Sequence, residues 1–450
     1  MKKIGKYEIR GLLGKGGMGK VYKVALPVVG RIVALKLLAP HPFLVDLIGE
    51  RRIRDLFVSE AVTIAGLSHP NIIEILDFDE NGGRPYYTMD FYSVNLGEII
   101  GETYSTEAPS RILPIERAIS YMRQTLKGLA CLHHCGIIHR DIKPFNLLLT
   151  AQDRIKICDF GLSKLRKESF GGPAGLKVGS PWYASPEQEE APDSVNESAD
   201  TFSVGVILYR MLCGTLPEQA EKPPSRINPD LDGAWDRFFQ KAIAKEPKQR
   251  FSTAHEMLTA LETLADAWRE KKENICEVPP EFLDPPAASA TKATRLRKAP
   301  IKVEPRNARE RFGAGKLWRP AVYVENAFSV NKENGLVSDL ATGLVWEWSG
   351  TPYPGDYARA RSHVERLNSL EPGGFTGWRL PTIDELMSLL GNTPHGSAHC
   401  LAPVFDQTQQ WLWSADRRSF TAAWFVNMDL GYIACQDLSA AYYAKGVCDL

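Results

Sequence analysis

Eight consecutive residues, His139-Arg140-Asp141-Ile142-Lys143-Pro144-Phe145-Asn146, bring a carboxylate, two cations and a carboxamide together. An Asp in such company can orient an attacking hydroxyl and accept its proton. A nearby Lys can neutralise a phosphoryl group in transfer, and an Asn can hold a metal ion. That chemistry needs a second metal ligand and a cradle for nucleotide phosphates. The ligand has a candidate in Asp159-Phe160-Gly161, where a carboxylate leaves the apolar run Ile155-Lys156-Ile157-Cys158 and Gly161 permits a sharp turn.

The cradle has a candidate in Gly14-Lys15-Gly16-Gly17-Met18-Gly19, between two strand-like runs, Tyr7 to Leu13 and Lys20 to Val24. Glycines let backbone N–H groups approach phosphate oxygens, yet Gly14, Gly16 and Gly19 alone fit a tight hairpin turn equally well. Gly14 to Lys20 also spells the first seven positions of a Walker loop, but Val21 stands where a Ser or Thr must ligate magnesium. The chain then alternates like a strand instead of opening a helix, which disfavours the Walker and dinucleotide readings and leaves a glycine hairpin over a nucleotide. Lys36, among the apolar residues of Arg31 to Leu38, reads in isolation as a solvent-facing lysine on a half-buried strand. Glu60 stands close to the apolar side (Val58, Ala61, Val62, Ile64, Ala65, Leu67) of a helical stretch from Asp46 to Leu67. It could pair with Lys36, although an isolated helical Glu is usually solvated.

The elements that would position these residues follow from periodicity. Ile72 to Phe78 and Pro85 to Phe91 form a hairpin around Asn81-Gly82-Gly83, and Ile115 to His134 is an amphipathic helix that delivers the chain to His139. Leu147-Leu148-Leu149 and Ile155 to Cys158 form a short apolar hairpin. The cluster Cys131, His133, His134, Cys135 has no second ligand pair at zinc-finger spacing, so a helix end is its plainer reading.

Taken in order, these motifs resemble the eukaryotic-type (Hanks-type) Ser/Thr protein kinases, of which bacteria have many. The resemblance implies a bilobal protein kinase fold, with a β-rich N-lobe and an α-rich C-lobe. It implies that Gly14, Gly16 and Gly19 cover the ATP phosphates, that Val21, Ala34 and Leu148 line the adenine pocket, and that Lys36 contacts the α and β phosphates while paired with Glu60. Met89 falls at the gatekeeper position and Asp90 to Tyr92 at the adenine-binding hinge. Asp141 would orient the substrate hydroxyl, Lys143 would assist at the γ phosphate, and Asn146 and Asp159 would bind Mg2+. Gly179 to Glu187 looks like the family's GTPxYxAPE segment, Asp200 would open a long buried helix, and Arg250 would pair with Glu187.

The departures from the family pattern also carry implications. Ser180 replaces the usual Thr but keeps its hydroxyl, Ser185 precedes Pro186 where Ala is usual, and Phe145 replaces a common Glu beside Asn146. The last removes a charge that attracts basic substrates in some relatives. Lys143-Pro144 points to Ser/Thr acceptors over Tyr, and Arg140 next to Asp141 marks control by activation-loop phosphorylation, with Ser169 first and Ser163 second as autophosphorylation sites.

At 450 residues the chain is long for one core, and the boundaries expected are a kinase domain over 1–270, an extended basic linker over 271–316 and a second domain over 317–450. Basic and acidic side chains number 54 each, so no global field points to nucleic acid or a membrane surface. Eight scattered cysteines without CxxC spacing fit a reducing compartment. With no signal-peptide pattern at Met1 to Arg10 and no run of about 18 apolar residues, a cytoplasmic protein without a membrane span is expected. The expected partners are protein substrates. Of two alternative classes, a pseudokinase scaffold is disfavoured by the presence of Lys36, Asp141, Asn146 and Asp159 together, and the other is a lectin-like binding protein whose C-terminal domain carries the function, switched by phosphorylation of the linker.

The linker expectation rests on Pro279-Pro280, Pro285-Pro286 and the Lys/Arg-rich stretch to Arg311, with Thr291 and Thr294 as further phosphorylation candidates. Beyond Leu317 lie seven of the ten tryptophans. Strands are expected at Phe328 to Asn331, Leu336 to Asp339, Leu344 to Trp348, Trp411 to Ala415 and Ala422 to Asn427, and helices at Tyr357 to Leu370 and Thr382 to Leu390. Thr342 to Trp346, Gly377 to Thr382, Trp413-Ser414 and Trp424 to Asn427 resemble the bacterial DUF1566 family. That resemblance implies an α+β fold of the C-type-lectin-like or formylglycine-generating-enzyme-like kind, with an unknown ligand or protein partner. Its tryptophans are read as core by default, with a Trp-lined sugar or peptide site as the alternative. His395, His399 and Cys400 are too loosely spaced to make a metal set.

Overall fold

Alternation along Ile32 to Leu38 explains the first sheet. Val33, Leu35 and Leu37 point to one face, where they pack with Ile4, Tyr7, Val24 and Tyr86, while Leu38 on the opposite face joins Phe57 and Ala61. The computed structural model describes residues 2–16, 18–102, 109–160, 164–165, 182–190, 195–220, 222–275, 294–331, 333–391 and 400–450. The chain divides into two compact units, Met1–Cys276 and Glu277–Leu450.

The first unit begins with β1 (Lys3–Ile4), β2 (Tyr7–Lys15), β3 (Gly19–Ala25), β4 (Ile32–Leu38), α1 (Pro42–Ile48), α2 (Glu50–Ala65), β5 (Ile75–Asn81) and β6 (Arg84–Asp90). The strands form one antiparallel sheet in the order β1-β2-β3-β4-β6-β5. Gly82 and Gly83 (φ 58° and 78°) close the β5–β6 hairpin in the left-handed conformation that a two-residue turn requires. The single helix expected from Asp46 to Leu67 is two helices, because Gly49 at φ 80° breaks it. Its buried stripe is also rotated from expectation: Ile53, Phe57, Glu60, Ala61 and Ile64 face inward, whereas Val62 is 68% exposed. The sheet face beneath α2 carries Lys36, so the stripe includes an acid that hydrophobicity alone assigns to the rim.

Helices then dominate: β7 (Val94–Asn95), α3 (Leu96–Ile100), α4 (Ile115–His134), β8 (Ile137–Ile138), β9 (Leu147–Leu149), β10 (Ile155–Ile157), β11 (Lys164–Leu165), α5 (Pro186–Glu190), α6 (Ser198–Cys213), α7 (Pro224–Ile227), α8 (Gly233–Ala242) and α9 (Ala254–Ile275). The helix α6 buries every residue except Phe202, as a central helix hydrophobic all round must, and α4 packs against both α6 and α9. A β-rich part and a helical part thus make the first unit bilobal. Among the described residues no helix is long and apolar enough to cross a membrane.

The second unit contains α10 (Pro305–Arg311), β12 (Phe328–Asn331), β13 (Leu336–Asp339), β14 (Leu344–Glu347), α11 (Tyr357–Leu370), α12 (Ile383–Ser388), β15 (Trp411–Arg417), β16 (Ala422–Asn427), β17 (Tyr432–Asp437) and β18 (Val447–Asp449). Two antiparallel sheets result, β12-β13-β14-β18 and β15-β16-β17. Neither β17 nor β18 was expected: β18 is short, and its place beside β14 depends on a partner about a hundred residues upstream in sequence.

The linker expectation fails from residue 294 onward. Val303, Ala308 and Phe312 belong to the core with Trp346 and Trp424, and the Trp424 indole donates to the Val303 carbonyl at 3.0 Å. Arg297 reaches Asp384 at 2.9 Å and Asp416 at 2.8 Å. A basic run reads as solvated from sequence because its acids, 87 and 119 residues away, are visible only after folding. Trp346, Trp378, Trp411, Trp413 and Trp424 are buried, so these five form core and not a binding wall.

Candidate functional site

Strand register builds the first half of the site. Val21 of β3 lies opposite Lys36 of β4, which lies opposite Tyr87 of β6, and Ala34 pairs with Met89 two residues along. Directly paired residues share a face, so Val21, Ala34, Lys36, Tyr87 and Met89 line one side of the sheet. Lys36 Nζ donates to Glu60 Oε1 at 2.7 Å and to Asp159 Oδ1 at 2.9 Å. Burial disfavours the Lys36 charge, but the surrounding Tyr87, Asp159 and Glu60 outweigh it and hold its pKa well above the ordinary lysine value. In return the Lys36 ammonium holds the Asp159 carboxyl below its usual range, so Asp159 is ionised at neutral pH.

Of the turn glycines, Gly14, Gly16 and Gly19 all lack left-handed backbone, and Gly17 lies outside the described residues. Gly19 is required for space, since a Cβ there would sit 2.5 Å from the Leu37 carbonyl oxygen. Among the described residues nothing lies within 4 Å of such a Cβ at Gly14, and at Gly16 the Gly19 carbonyl alone does, at 3.9 Å, which leaves that side of the turn open to a ligand. Asp90, the last residue of β6, accepts from Arg31 just before β4, and Tyr92 is half-buried. Leu148 sits in the middle of β9, paired with Lys156 and Asn95.

The second half is the loop after β8. Lys143 Nζ donates to Asp141 Oδ2 at 2.7 Å, and Asn146 Nδ2 donates to the Asp141 carbonyl oxygen at 2.8 Å and to Oδ2 at 3.0 Å. The Cys158 N–H donates to the Asn146 carbonyl at 3.0 Å, which ties this loop to Asp159. Arg140 and Asp159 both adopt left-handed backbone (φ 68° and 64°), a strained state for these residues that surrounding contacts must hold.

Asp200 supplies much of that restraint. Its buried carboxylate accepts from the His139 N–H at 2.9 Å, the Arg140 N–H at 2.8 Å and His133 Nε2 at 2.8 Å, while Gln188 Nε2 donates to the Arg140 carbonyl at 2.7 Å. His133 therefore turns inward, away from exposed His134 and Cys135. The expected Arg250–Glu187 pair is present as a bidentate ion pair, with Arg250 donating from both terminal nitrogens to the two Glu187 oxygens at 2.7 and 2.9 Å. The Phe145 ring packs over Gly97, where a Cβ would come within 2.9 Å of it. Ser163, Ser169, Ser180 and Gly161 lie outside the described residues, as do Thr291, His395 and His399.

Tyr87 is the site residue that sequence reasoning missed. Its buried hydroxyl donates to Glu60 Oε1 at 2.9 Å, the same oxygen that takes Lys36, and the Phe57 ring packs 5.3 Å away. The available signal was the alternation that sets Tyr87 on the Lys36 face. On the expectation that this face holds ATP, Tyr87→Phe should raise KM for it about three- to tenfold with kcat nearly unchanged, the effect of one buried hydrogen bond to a charged group. Steady-state kinetics over an ATP series check this.

The family model for the protein kinase domain matches residues 7–277, and the model for the Lcl C-terminal domain matches residues 335–448. A probable serine/threonine-protein kinase of Clostridium perfringens is 32% identical over 274 residues, covering 58% of this chain and 38% of its own. Serine/threonine-protein kinase pkn3 of Myxococcus xanthus is 32% identical over 284 residues, 58% of this chain and 50% of its own. Serine/threonine-protein kinase PksC of Streptomyces coelicolor is 31% identical over 274 residues, 56% and 48% respectively. The chain thus spans half or less of the length of these relatives.

Proposed function

The chain belongs to the protein kinase family and carries a protein Ser/Thr kinase domain over residues 7–277, and on that premise we propose that it transfers the γ-phosphoryl group of ATP to protein Ser or Thr hydroxyls, giving ADP and a phosphoprotein. The observation that carries this is the joining of two clusters, Lys36–Glu60–Asp159 and Asp141–Lys143–Asn146, through the Cys158–Asn146 backbone bond.

The donor set suits Mg2+. Asp159 offers an ionised, half-exposed carboxylate, and Asn146 commits its amide nitrogen to Asp141, leaving its oxygen for a cation. When bound, the metal neutralises charge on the transferring phosphates. Lys36, held by Glu60, orients the α and β phosphates. Asp141 positions the acceptor hydroxyl and takes its proton, and Lys143 offsets charge at the γ phosphate. Gly14, Gly16 and Gly19 cover the phosphates, while Val21, Ala34, Met89, Asp90, Tyr92 and Leu148 receive the adenine.

Incubation with labelled ATP, Mg2+ and casein tests the reading. The wild-type chain is expected to label Ser and Thr, and Asp159→Asn to lower that rate about 10²-fold. Full Mg2+-dependent labelling by the variant would remove Asp159 from the metal site. Peptide mapping of the chain itself in the same reaction tests autophosphorylation at Ser169 and Ser163. Replacement of the usual Glu by Phe145, a residue 41% exposed, supports a substrate preference that does not rest on basic residues.

For the second unit we infer a sensing or substrate-recruiting role on a C-type-lectin-like α+β fold, supported by its β-rich sheets and its match to the Lcl C-terminal domain. The free state of all seven described cysteines supports a cytoplasmic setting.

A further inference from the structure

We propose that a cavity in the second unit binds a phosphorylated Ser or Thr side chain presented on a polypeptide. The cavity, about 320 Å³, lies between the Thr351–Gly355 segment, α11 and the Tyr442–Ala444 segment. Its walls are fixed by backbone pairing: Gly355 and Tyr442 exchange bonds of 2.8 and 3.0 Å, and the Thr351 N–H donates to the Ala444 carbonyl at 2.8 Å.

Three cationic or hydrogen-bonding side chains of α11 line it, Arg359, His363 and Arg366, at i, i+4 and i+7 on one helix face. Arg359 lies across Gly355, where a Cβ would come within 2.9 Å of its Cδ, so its guanidinium stem is already packed. Glu347 holds His363 at 2.9 Å and also accepts from the Gly446 N–H at 2.6 Å. Neither Arg359 nor Arg366 is paired with a carboxylate among the described residues. This sets them apart from Arg297 and Arg379 of the same unit, which are spent on Asp384, Asp416 and Glu385.

Two unspent guanidinium forks over a floor that includes Pro352, Tyr353 and Tyr442 suit an anion attached to a partly apolar body. A phosphomonoester brings close to two negative charges and three strong acceptor oxygens, which arginine forks match in geometry as well as charge. The choice of phosphorylated Ser or Thr rests on the kinase reading, because that is the group the first unit would produce. The second unit would then retain phosphorylated substrates, or its own phosphorylated chain, near their source.

The test titrates the full-length chain, without ATP, into fluorescein-labelled nonapeptides degenerate except for a central phosphothreonine, followed by anisotropy. The same pool with unmodified Thr runs alongside, and inorganic phosphate is the competitor. The phosphorylated pool is expected to bind at least about tenfold more tightly than the unmodified one. Arg359→Ala combined with Arg366→Ala should erase that preference, while Arg361→Ala on the same helix, outside the cavity lining, keeps it. Equal binding of the two pools, or a preference that survives the double substitution, would overturn the proposal. So would displacement by inorganic phosphate at concentrations equal to the phosphopeptide, by making the free ion the ligand. Both arginines are exposed, and a melting curve confirms that the variants are folded. Repeating the titration with Asp141→Asn separates this site from the kinase reading, since loss of phosphoryl transfer leaves the binding readout intact.

Discussion

Asp141→Asn is expected to lower kcat for phosphate transfer by about 10³-fold or more while leaving ATP affinity and the melting temperature close to wild type. The substitution keeps an oxygen that can accept from Lys143 and Asn146 but removes the base that takes the hydroxyl proton. Nucleotide binding is spared because Lys36, Glu60 and Asp159 make their contacts without Asp141. Quenched-flow phosphorylation paired with a fluorescent-nucleotide titration separates the two quantities. Wild-type rates in the variant would refute the assignment of Asp141, and lost nucleotide binding would show that the two clusters are not independent.

Asp200→Ala is expected to act the other way, through stability. Removal of this carboxylate strands the His139 and Arg140 N–H groups and His133 in a fully buried site, a loss of about 3–5 kcal/mol for a buried, hydrogen-bonded charge. The strained Arg140 backbone loses its anchor as well, so kcat should fall at least about tenfold in the fraction that stays folded. Urea unfolding followed through the first unit's transition measures the stability term. Burial pushes the Asp200 carboxyl up, but the hydrogen bond from His133, the charges of His133 and His139 and the Arg140 N–H outweigh it and hold its pKa below the ordinary 3.8. A depressed folded pKa contributes stability above the unfolded value and loses it as pH falls through the folded value. The wild-type advantage over Asp200→Ala should therefore hold at neutral pH and shrink only in strongly acidic solution. An advantage that vanishes near pH 6 would contradict the geometry.

The two predictions bracket what could be read at each level. His139 to Asn146 and Asp159 present their chemistry in the sequence because groups in a short loop are set by local spacing, whereas the roles of the glycine turn, Lys36 and Glu60 came only through the family resemblance, since periodicity by itself leaves Lys36 facing solvent and Glu60 at the rim. The sequence by itself therefore determined the order of elements in the first unit and most of the second unit's strands, and through the family resemblance the reaction class to be expected. Tertiary structure alone decided the contacts that hold these groups: Tyr87 on Glu60, Asp200 under the His139–Arg140 backbone, and Gln188 on the Arg140 carbonyl. It also decided that residues 294–316 pack onto the second unit and are not a linker, through Arg297 with two distant acids and the buried Val303, Ala308 and Phe312, the last against Trp424. The physical reason is common to all of them. A buried polar group is stable only with a partner, and when that partner lies tens of residues away no local period records it.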